Sequence, residues 1–413
     1  MIRNYLKIAM KVLLRRKFFT SISLFAVSFT LTVLTVCTAL LDHTFGARKP
    51  ESLADRMLCV VWMMQKGPKA AVHSGAGYGF LDRYVRGIPG AERVSISSRP
   101  TTRHSYVGGR KIESSLRWTD GEYWKILQYD FLEGGPFTPH DEANVNHVAV
   151  INEATRERFF GGAPALGRTI EVDNQSFRVV GVVRNVPILR LMSFSDIWVP
   201  ISTRRGQEFR KELVGDFIGL ILASDRSLIP AIRSEFQSRL AQVEFPNPKV
   251  FNSLHGAAET YFEEASRAVS NAESGSTRAA ILWAVFVGGA VLFMSLPAIN
   301  LVNINLSRIL ERASEIGVRR AFGATSATLV GQFVVENVFL TLVGGVLGWL
   351  ASAIVLAALN RSGLIPYAQL DLNWRILVWG LLTAVFFGLL SGVYPAWRMS
   401  RLHPVEALRR RPE

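Results

Sequence analysis

Few residues in this chain could do chemistry, and they are scattered. His140 and His147, with Asp141 and Glu142 between them, are candidate metal ligands. Their spacing fits no common zinc pattern and follows a proline-rich turn, so a solvated loop is expected there. The two cysteines, Cys37 and Cys59, cannot build a disulfide framework or a metal site. Cys37 lies in an apolar run and is expected to pack as a small apolar residue, whereas Cys59 has no evident partner. Neither a GxxxxGK[ST] phosphate loop, a G-x-S-x-G elbow nor an H-E-x-x-H helix occurs. Ser, His and Asp residues assemble into no recognisable triad. These residues make no catalytic centre, so the chain is read as not itself an enzyme, with no cofactor of its own.

Two charged features stand out from that background. In the first, Glu311 and Glu315 lie one helical turn apart and Arg319 a turn further on. Arg312 sits between them, Ile316 and Arg320 share a neighbouring stripe, and Ala321 leads to Gly323, which ends the run. A short charged helix between two apolar runs suits docking into another protein's groove. It equally suits a solvated loop helix whose ion pairs contribute only tenths of a kcal/mol, and spacing alone leaves both open. The second feature is Glu336, about ten residues into an apolar run, where an ionised carboxylate costs roughly 2.5 kcal/mol or more at a bilayer centre. Either it is a buried packing or coupling residue, or its helix enters lipid later than the hydropathy suggests.

The elements that must position these residues are written in the apolar runs. Of 413 residues, 49% are hydrophobic, and the formal charge is +14. Residues 1–17, 306–326 and 397–413 carry 15 Lys and Arg against four Glu, so the positive charge sits beside apolar stretches. This is the positive-inside signature, and it argues against nucleic acid as the partner. A bilayer core of about 30 Å needs roughly 20 helical residues. Four stretches qualify: 18–41, 279–306, 327–359 and 374–397.

The first run has no charge and is too long for a cleaved signal. Residues 1–17 before it read as an amphipathic helix at the cytoplasmic interface. Pro297 should kink the second. In the third, Gly344 and Gly348 form a small-xxx-small face that allows close helix approach. The fourth has Trp374, Trp379 and Trp397 near its ends and closes with Pro395. Starting inside, four crossings leave both termini cytoplasmic, with 307–326 a cytoplasmic coupling loop, 360–373 a short outer loop and 398–413 a cytoplasmic tail.

The fold class is therefore an α-helical membrane protein with four transmembrane helices plus an α+β extracytoplasmic domain, residues 42–278, inserted between helices 1 and 2. Within that domain, strands are expected at Met57–Met64, Arg93–Ser97, His147–Ile151, Thr169–Val172, Phe177–Val183 and Phe217–Leu222. Asp173-Asn174-Gln175 is the turn of a hairpin. Helices are expected at Phe80–Arg86, from the Asn152 cap through Phe160, at Ile229–Val243, and as a stalk over His255–Asn271 weakened by Gly275.

Several blocks resemble one family in order along nearly the whole chain. Glu311 to Thr325 is similar to the E-R-x-x-E-I-G-x-R-x-A-x-G-A segment of the MacB/FtsX-like ABC transporter permeases, of the type VII fold. Gln332 to Glu336 and Gly344 to Gly348 resemble its third span. Gly392 to Arg398 and His403 to Arg409 resemble its closing segment, and His147 to Glu153, Phe159 to Arg168 and Phe177 to Val182 resemble its MacB-like periplasmic core. Met399 stands where the tail often has alanine, and Ala313-Ser314 replaces a commonly more charged pair.

The resemblance implies a dimeric permease, with a second copy or a related chain, in a bacterial inner membrane. Its coupling helix would dock a separate cytoplasmic ABC ATPase that binds ATP and Mg, since only about 17 residues precede the first span. A periplasmic adaptor and an outer-membrane channel are further expected partners. Closure of the ATPase would drive the outer domains, a mechanotransmission that exports an amphiphilic cargo such as a peptide, drug or lipoprotein. The alternative is an FtsX-like transmembrane regulator of an extracytoplasmic enzyme that moves no cargo.

Overall fold

The structure, a computed structural model, describes residues 10, 17–107, 110–267, 275–311, 325–372, 374, 378–383, 385, 386 and 389. They fall into two units: a helical one within Met1–Asp42, Trp283–Leu364 and Leu370–Glu413, and an outer one of His43–Leu282 with Ile365–Gln369.

Long apolar helices make the first unit. Lys17–Phe45 and Gly275–Glu311 are continuous, the latter passing through Pro297 without a break in helix. Ser326–Ser362 starts at Thr325, whose hydroxyl accepts from the Thr328 backbone, and stops at Gly363 in the left-handed conformation. Among the described residues, Lys17–Phe45 and the Val334–Ser362 portion of the last helix are long and apolar enough to cross a membrane, and Arg278–Phe293 is a shorter apolar stretch. Ser and Thr hydroxyls inside Lys17–Phe45 turn back onto their own carbonyls, as with Ser23 to Phe19 O at 2.9 Å and Thr38 to Leu34 O at 2.6 Å. Cys37 is exposed on this helix rather than packed. The expected terminal amphipathic helix, most of the fourth span and the tail lie outside the described residues.

The outer unit is a mixed sheet with helices and turns on both faces. Its strands are β1 (Met57–Val60), β2 (Met63–Lys66), β3 (Ala71–Ala76), β4 (Ala91–Ser98), β5 (Thr101–Val107), β6 (Arg110–Thr119) and β7 (Phe131–Gly134). They continue with β8 (Val148–Asn152), β9 (Thr169–Val172), β10 (Gln175–Val183), β11 (Ile197–Pro200), β12 (Val214–Gly215), β13 (Phe217–Ala223) and β14 (Ser253–Gly256). The order along the sheet is β14-β2-β3-β13-β4-β6-β11-β8-β10-β7, parallel at β6/β11 and β8/β10.

Central strands are buried throughout because their alternate residues fill two different cores. Leu58, Val60, Ala149, Ile151, Phe217 and Ile221 enter one, against Ile232, Phe236 and Leu240 of the Ile229–Ala241 helix. Met57, Cys59, Val148, Val150, Leu220 and Leu222 enter the other, against Tyr123, Trp124 and Trp198.

Some expectations are met and others corrected. Asn152 caps Glu153–Phe160 by accepting from the Thr155 backbone, and Asp173 and Asn174, both at φ +56°, make a two-residue hairpin turn, so β10 begins at Gln175. The run Met57–Met64 is two strands, not one: it breaks at Val61-Trp62, where the chain leaves β13 to pair with β3 and β14. The stalk expected from His255 is also corrected, because 253–256 pairs with β2 as a strand. Helix begins only at Tyr261, where Thr260 and Glu263 cap one another. Cys59 is buried, and its thiol donates to Glu259 O at 3.2 Å.

Candidate functional site: a buried arginine junction

Of the residues singled out in the sequence, Glu311 is the last of the Gly275–Glu311 helix. Arg312, Glu315, Ile316, Arg319, Arg320, Ala321, Gly323 and Pro395 lie outside the described residues. Glu336 is buried, 3% exposed, within the helical unit. Gly344 and Gly348 face the first helix. A Cβ at Gly344 would meet Val27 Cγ1 at 2.8 Å, and one at Gly348 would meet Ser28 O at 2.9 Å. Thr32 donates its hydroxyl to Gly348 O across that contact at 3.1 Å.

The outer unit holds a second, unforeseen arrangement. Between β10 and β11, residues 184–196 form a loop whose centre is Arg190, 2% exposed. Its guanidinium pairs with Glu51 Oε2 at 3.0 Å and donates to Gly46 O at 3.0 Å and to Arg48 O at 3.3 Å. The other Glu51 oxygen accepts from Ser193 Oγ at 2.7 Å, so both carboxylate oxygens are engaged. Burial pushes the Glu51 carboxyl above the usual range, while Arg190 and Ser193 pull it down.

The loop's carbonyls are claimed in turn. Arg117, fully buried on β6, donates to Leu191 O at 2.6 Å, Phe194 O at 3.0 Å and Met192 O at 3.1 Å. Tyr123 donates to Met192 O at 3.1 Å, and Tyr129 to Ser193 O.

Three chain segments that adjoin the long helices meet at this loop. The first is 46–51, directly after Lys17–Phe45. The second is Tyr261, on the way to Gly275–Glu311: its hydroxyl donates to Leu189 O, and its ring lies 5.2 Å from that of Phe45. The third is 365–369, after Ser326–Ser362. Tyr367 donates to Asp196 Oδ1 at 3.2 Å, and Pro366 O accepts from the Ile188 backbone at 3.4 Å. Asp196 is itself fixed by the Ser115 backbone at 2.9 Å, Asn152 Nδ2 at 2.9 Å and Arg158 at 3.0 Å. Such an arrangement carries no bond-breaking chemistry. It can lock several segments into one rigid piece, because each buried partner is costly to orphan. The signal that could have flagged it is an arginine inside the apolar run Ile188-Leu189-Arg190-Leu191-Met192.

A carboxylate pair lies beside it. Arg267 pairs with Glu259 and lies 3.5 Å from Glu264, with its guanidinium 4.8 Å from the Trp62 ring centre. Burial pushes Glu264 up to about 7, helped by Glu259 and opposed by Arg267 and Arg99. The folded chain therefore holds this proton more tightly than the unfolded chain does. Its contribution to stability is complete below about 4.5, the ordinary value, and is lost as pH rises through about 7. Thermal unfolding of the full chain in detergent across this range should show that decline, and Glu264→Gln should flatten it. A Glu264→Gln chain with the unaltered pH slope would show that another group titrates.

Comparison with known proteins agrees with the fold. Residues 20–239 match the model of the MacB-like periplasmic core domain, and residues 287–404 that of the FtsX-like permease C-terminal region. The uncharacterised ABC transporter permease YknZ of Bacillus subtilis is 24% identical over 84% of this chain and 82% of its own length. The macrolide export ATP-binding/permease protein MacB of Escherichia coli K12 is 27% identical over 72% of this chain. The match spans only 44% of that protein. Among solved structures, the extracellular domain of YknZ aligns with 48% of this chain and 98% of its own, at 15% identity and a TM-score of 0.36. The periplasmic region of MacB from Actinobacillus actinomycetemcomitans aligns with 44% of this chain and 83% of its own, at 16% identity and a TM-score of 0.35. With a periplasmic core model over more than half its length and a permease model over most of the rest, the chain belongs to the MacB/FtsX-like ABC transporter permeases.

Proposed function

We propose that this permease works by mechanotransmission: a separate cytoplasmic ABC ATPase, carrying ATP and Mg, grips residues 311–323, and its motion reaches the outer domain to export an amphiphilic cargo. The observation that carries the reading is the Arg190 junction. Three segments leading to the long helices end on one loop, through the buried Arg190–Glu51 pair and the half-buried Tyr261 and Tyr367 hydroxyls, so a displacement of any one is passed to the sheet rather than absorbed. The relative's name, macrolide export ATP-binding/permease, supports outward movement and an ATP-driven motor. This chain supplies no catalytic group in the scheme. A second permease copy completes the assembly in the bacterial inner membrane, with a periplasmic adaptor and an outer-membrane channel as further partners.

Affinity purification in mild detergent tests it. The unaltered chain should bring down an ATPase in stoichiometric amount, and Glu315→Lys should lose it by inverting a charge at the docking face. Full retention by Glu315→Lys and by Arg319→Glu together would remove that face from the scheme.

A further inference from the structure

The 184–196 loop carries two aliphatic side chains that its own domain does not cover: Ile188 is 39% exposed and Leu191 51%. Everything around them is closely bonded, since Arg190 between them is buried and the Leu189 and Leu191 carbonyls accept from Tyr261 and Arg117. A turn held this rigidly, with apolar side chains outward, invites a covering partner.

Chain connectivity says where that partner must be. Arg190 bonds Gly46 and Arg48, one and three residues beyond the end of the Lys17–Phe45 helix. Ile188 bonds Pro366, four residues beyond the end of Ser326–Ser362. At no more than about 3.6 Å per residue, both tethers keep the turn within roughly 15 Å of two helix ends. The uncharged run of the first helix ends at Leu41, just before Asp42, while its helix continues to Phe45; the apolar run of the second ends at Leu359, just before Asn360 and Arg361, while its helix continues to Ser362. At 1.5 Å per residue these last three or four residues rise about 5–6 Å beyond the apolar core, which is the depth of one headgroup layer. Both helices therefore end in the outer headgroup layer, and the turn belongs at that level.

We propose that Ile188 and Leu191 form a lipid-contacting foot that rests in the headgroup layer of the outer leaflet, against a glycerophospholipid surface. Two side chains are far fewer than the roughly 20–30 residues a side that a stable protein interface recruits. They are enough to seat an already anchored domain, as interfacial apolar residues do. The foot would set the height of the outer domain on the membrane, next to the junction through which it is moved. It rests on the long helices crossing a bilayer, and not on ATPase docking, so the two readings can fail separately.

The test uses the full chain in nanodiscs of phosphatidylcholine and phosphatidylglycerol, with an environment-sensitive fluorophore on Leu191→Cys. Ile188→Cys serves as a second site, and Val145→Cys as the reference: it is 47% exposed and precedes β8, which runs parallel to β10, so it lies at the opposite end of the sheet from the loop that follows Val183. The unsubstituted chain gives the background from Cys37. Lipids bearing a nitroxide at the headgroup or high on the acyl chain should quench the 188 and 191 labels and leave the 145 label bright. Quenching at 188 and 191 no greater than at 145 would overturn the foot. So would a blue-shifted but unquenched label, because protein rather than lipid would then cover it.

Discussion

Arg190→Met is expected to destabilise the outer domain by about 3–5 kcal/mol, the range for removing one partner of a buried ion pair. The cause is the group left behind. Glu51, 3% exposed, would keep Ser193 but lose the Arg190 countercharge, the only one at hydrogen-bond distance among the described residues, and Gly46 O and Arg48 O would lose a donor as well. Thermal and urea unfolding of the full chain in detergent, followed by tryptophan emission, reads the loss, because Trp124 and Trp198 sit in the core beside the loop. Pairing the change with Glu51→Leu should return much of the stability, since no buried charge then remains. If the double variant regains stability, the loss in the single variant belongs to the orphaned Glu51 charge rather than to the missing arginine contacts. A single variant that loses less than about 1 kcal/mol would mean that the pair is not buried as described.

Gly348→Val should cost the helical unit its contact between the first and third hydrophobic runs. Even the first added carbon would meet Ser28 O at 2.9 Å, Leu31 Cβ at 3.0 Å and Ser28 Cα at 3.3 Å. Most of those atoms are backbone and cannot rotate aside, so the helices must separate, and the Thr32 hydroxyl loses Gly348 O. Overpacking of this kind costs roughly 1–3 kcal/mol. Close packing of Val27 and Leu31 against Leu340 depends on the same approach and would loosen with it. Gly345→Ala is the control: its nearest neighbour is the flexible end of Leu381, at 2.6 Å, which can swing away. Folded yield in membranes and resistance to protease should fall for Gly348→Val and hold for Gly345→Ala. Equal behaviour of the two would remove the close approach from the account.

Local signals were the legible part of this molecule. Asn152 as a cap, the Asp173-Asn174 turn and the Gly344/Gly348 face each depend on residues within a few positions of one another, so type and spacing suffice. The β5–β6 ribbon was missed because its polar, arginine-containing run lacks the apolar alternation that marks a half-buried strand. The stalk expected over His255–Asn271 starts too early because His255 and Gly256 fit a helical pattern while tertiary pairing with Met64 and Met63 decides for strand. Of the Arg190 junction the sequence shows only an arginine within an apolar run, and not the partner it meets. Glu51 and Arg190 are 139 residues apart, and nothing in either neighbourhood specifies the other. The coupling segment is the reverse case: its pattern of glutamates and arginines is plain in the sequence, yet most of it lies outside the described residues.

Tyr367 is 171 residues downstream of the Asp196 carboxylate it bonds, with two of the long helices lying between them in the chain. During synthesis the strands of the sheet are therefore all made well before the Tyr367 donor has left the ribosome. The outer domain gains this bond only after Ser326–Ser362 has been made and the turn behind it has reached Asp196. One contact of this domain thus waits on a helix that belongs to the other unit.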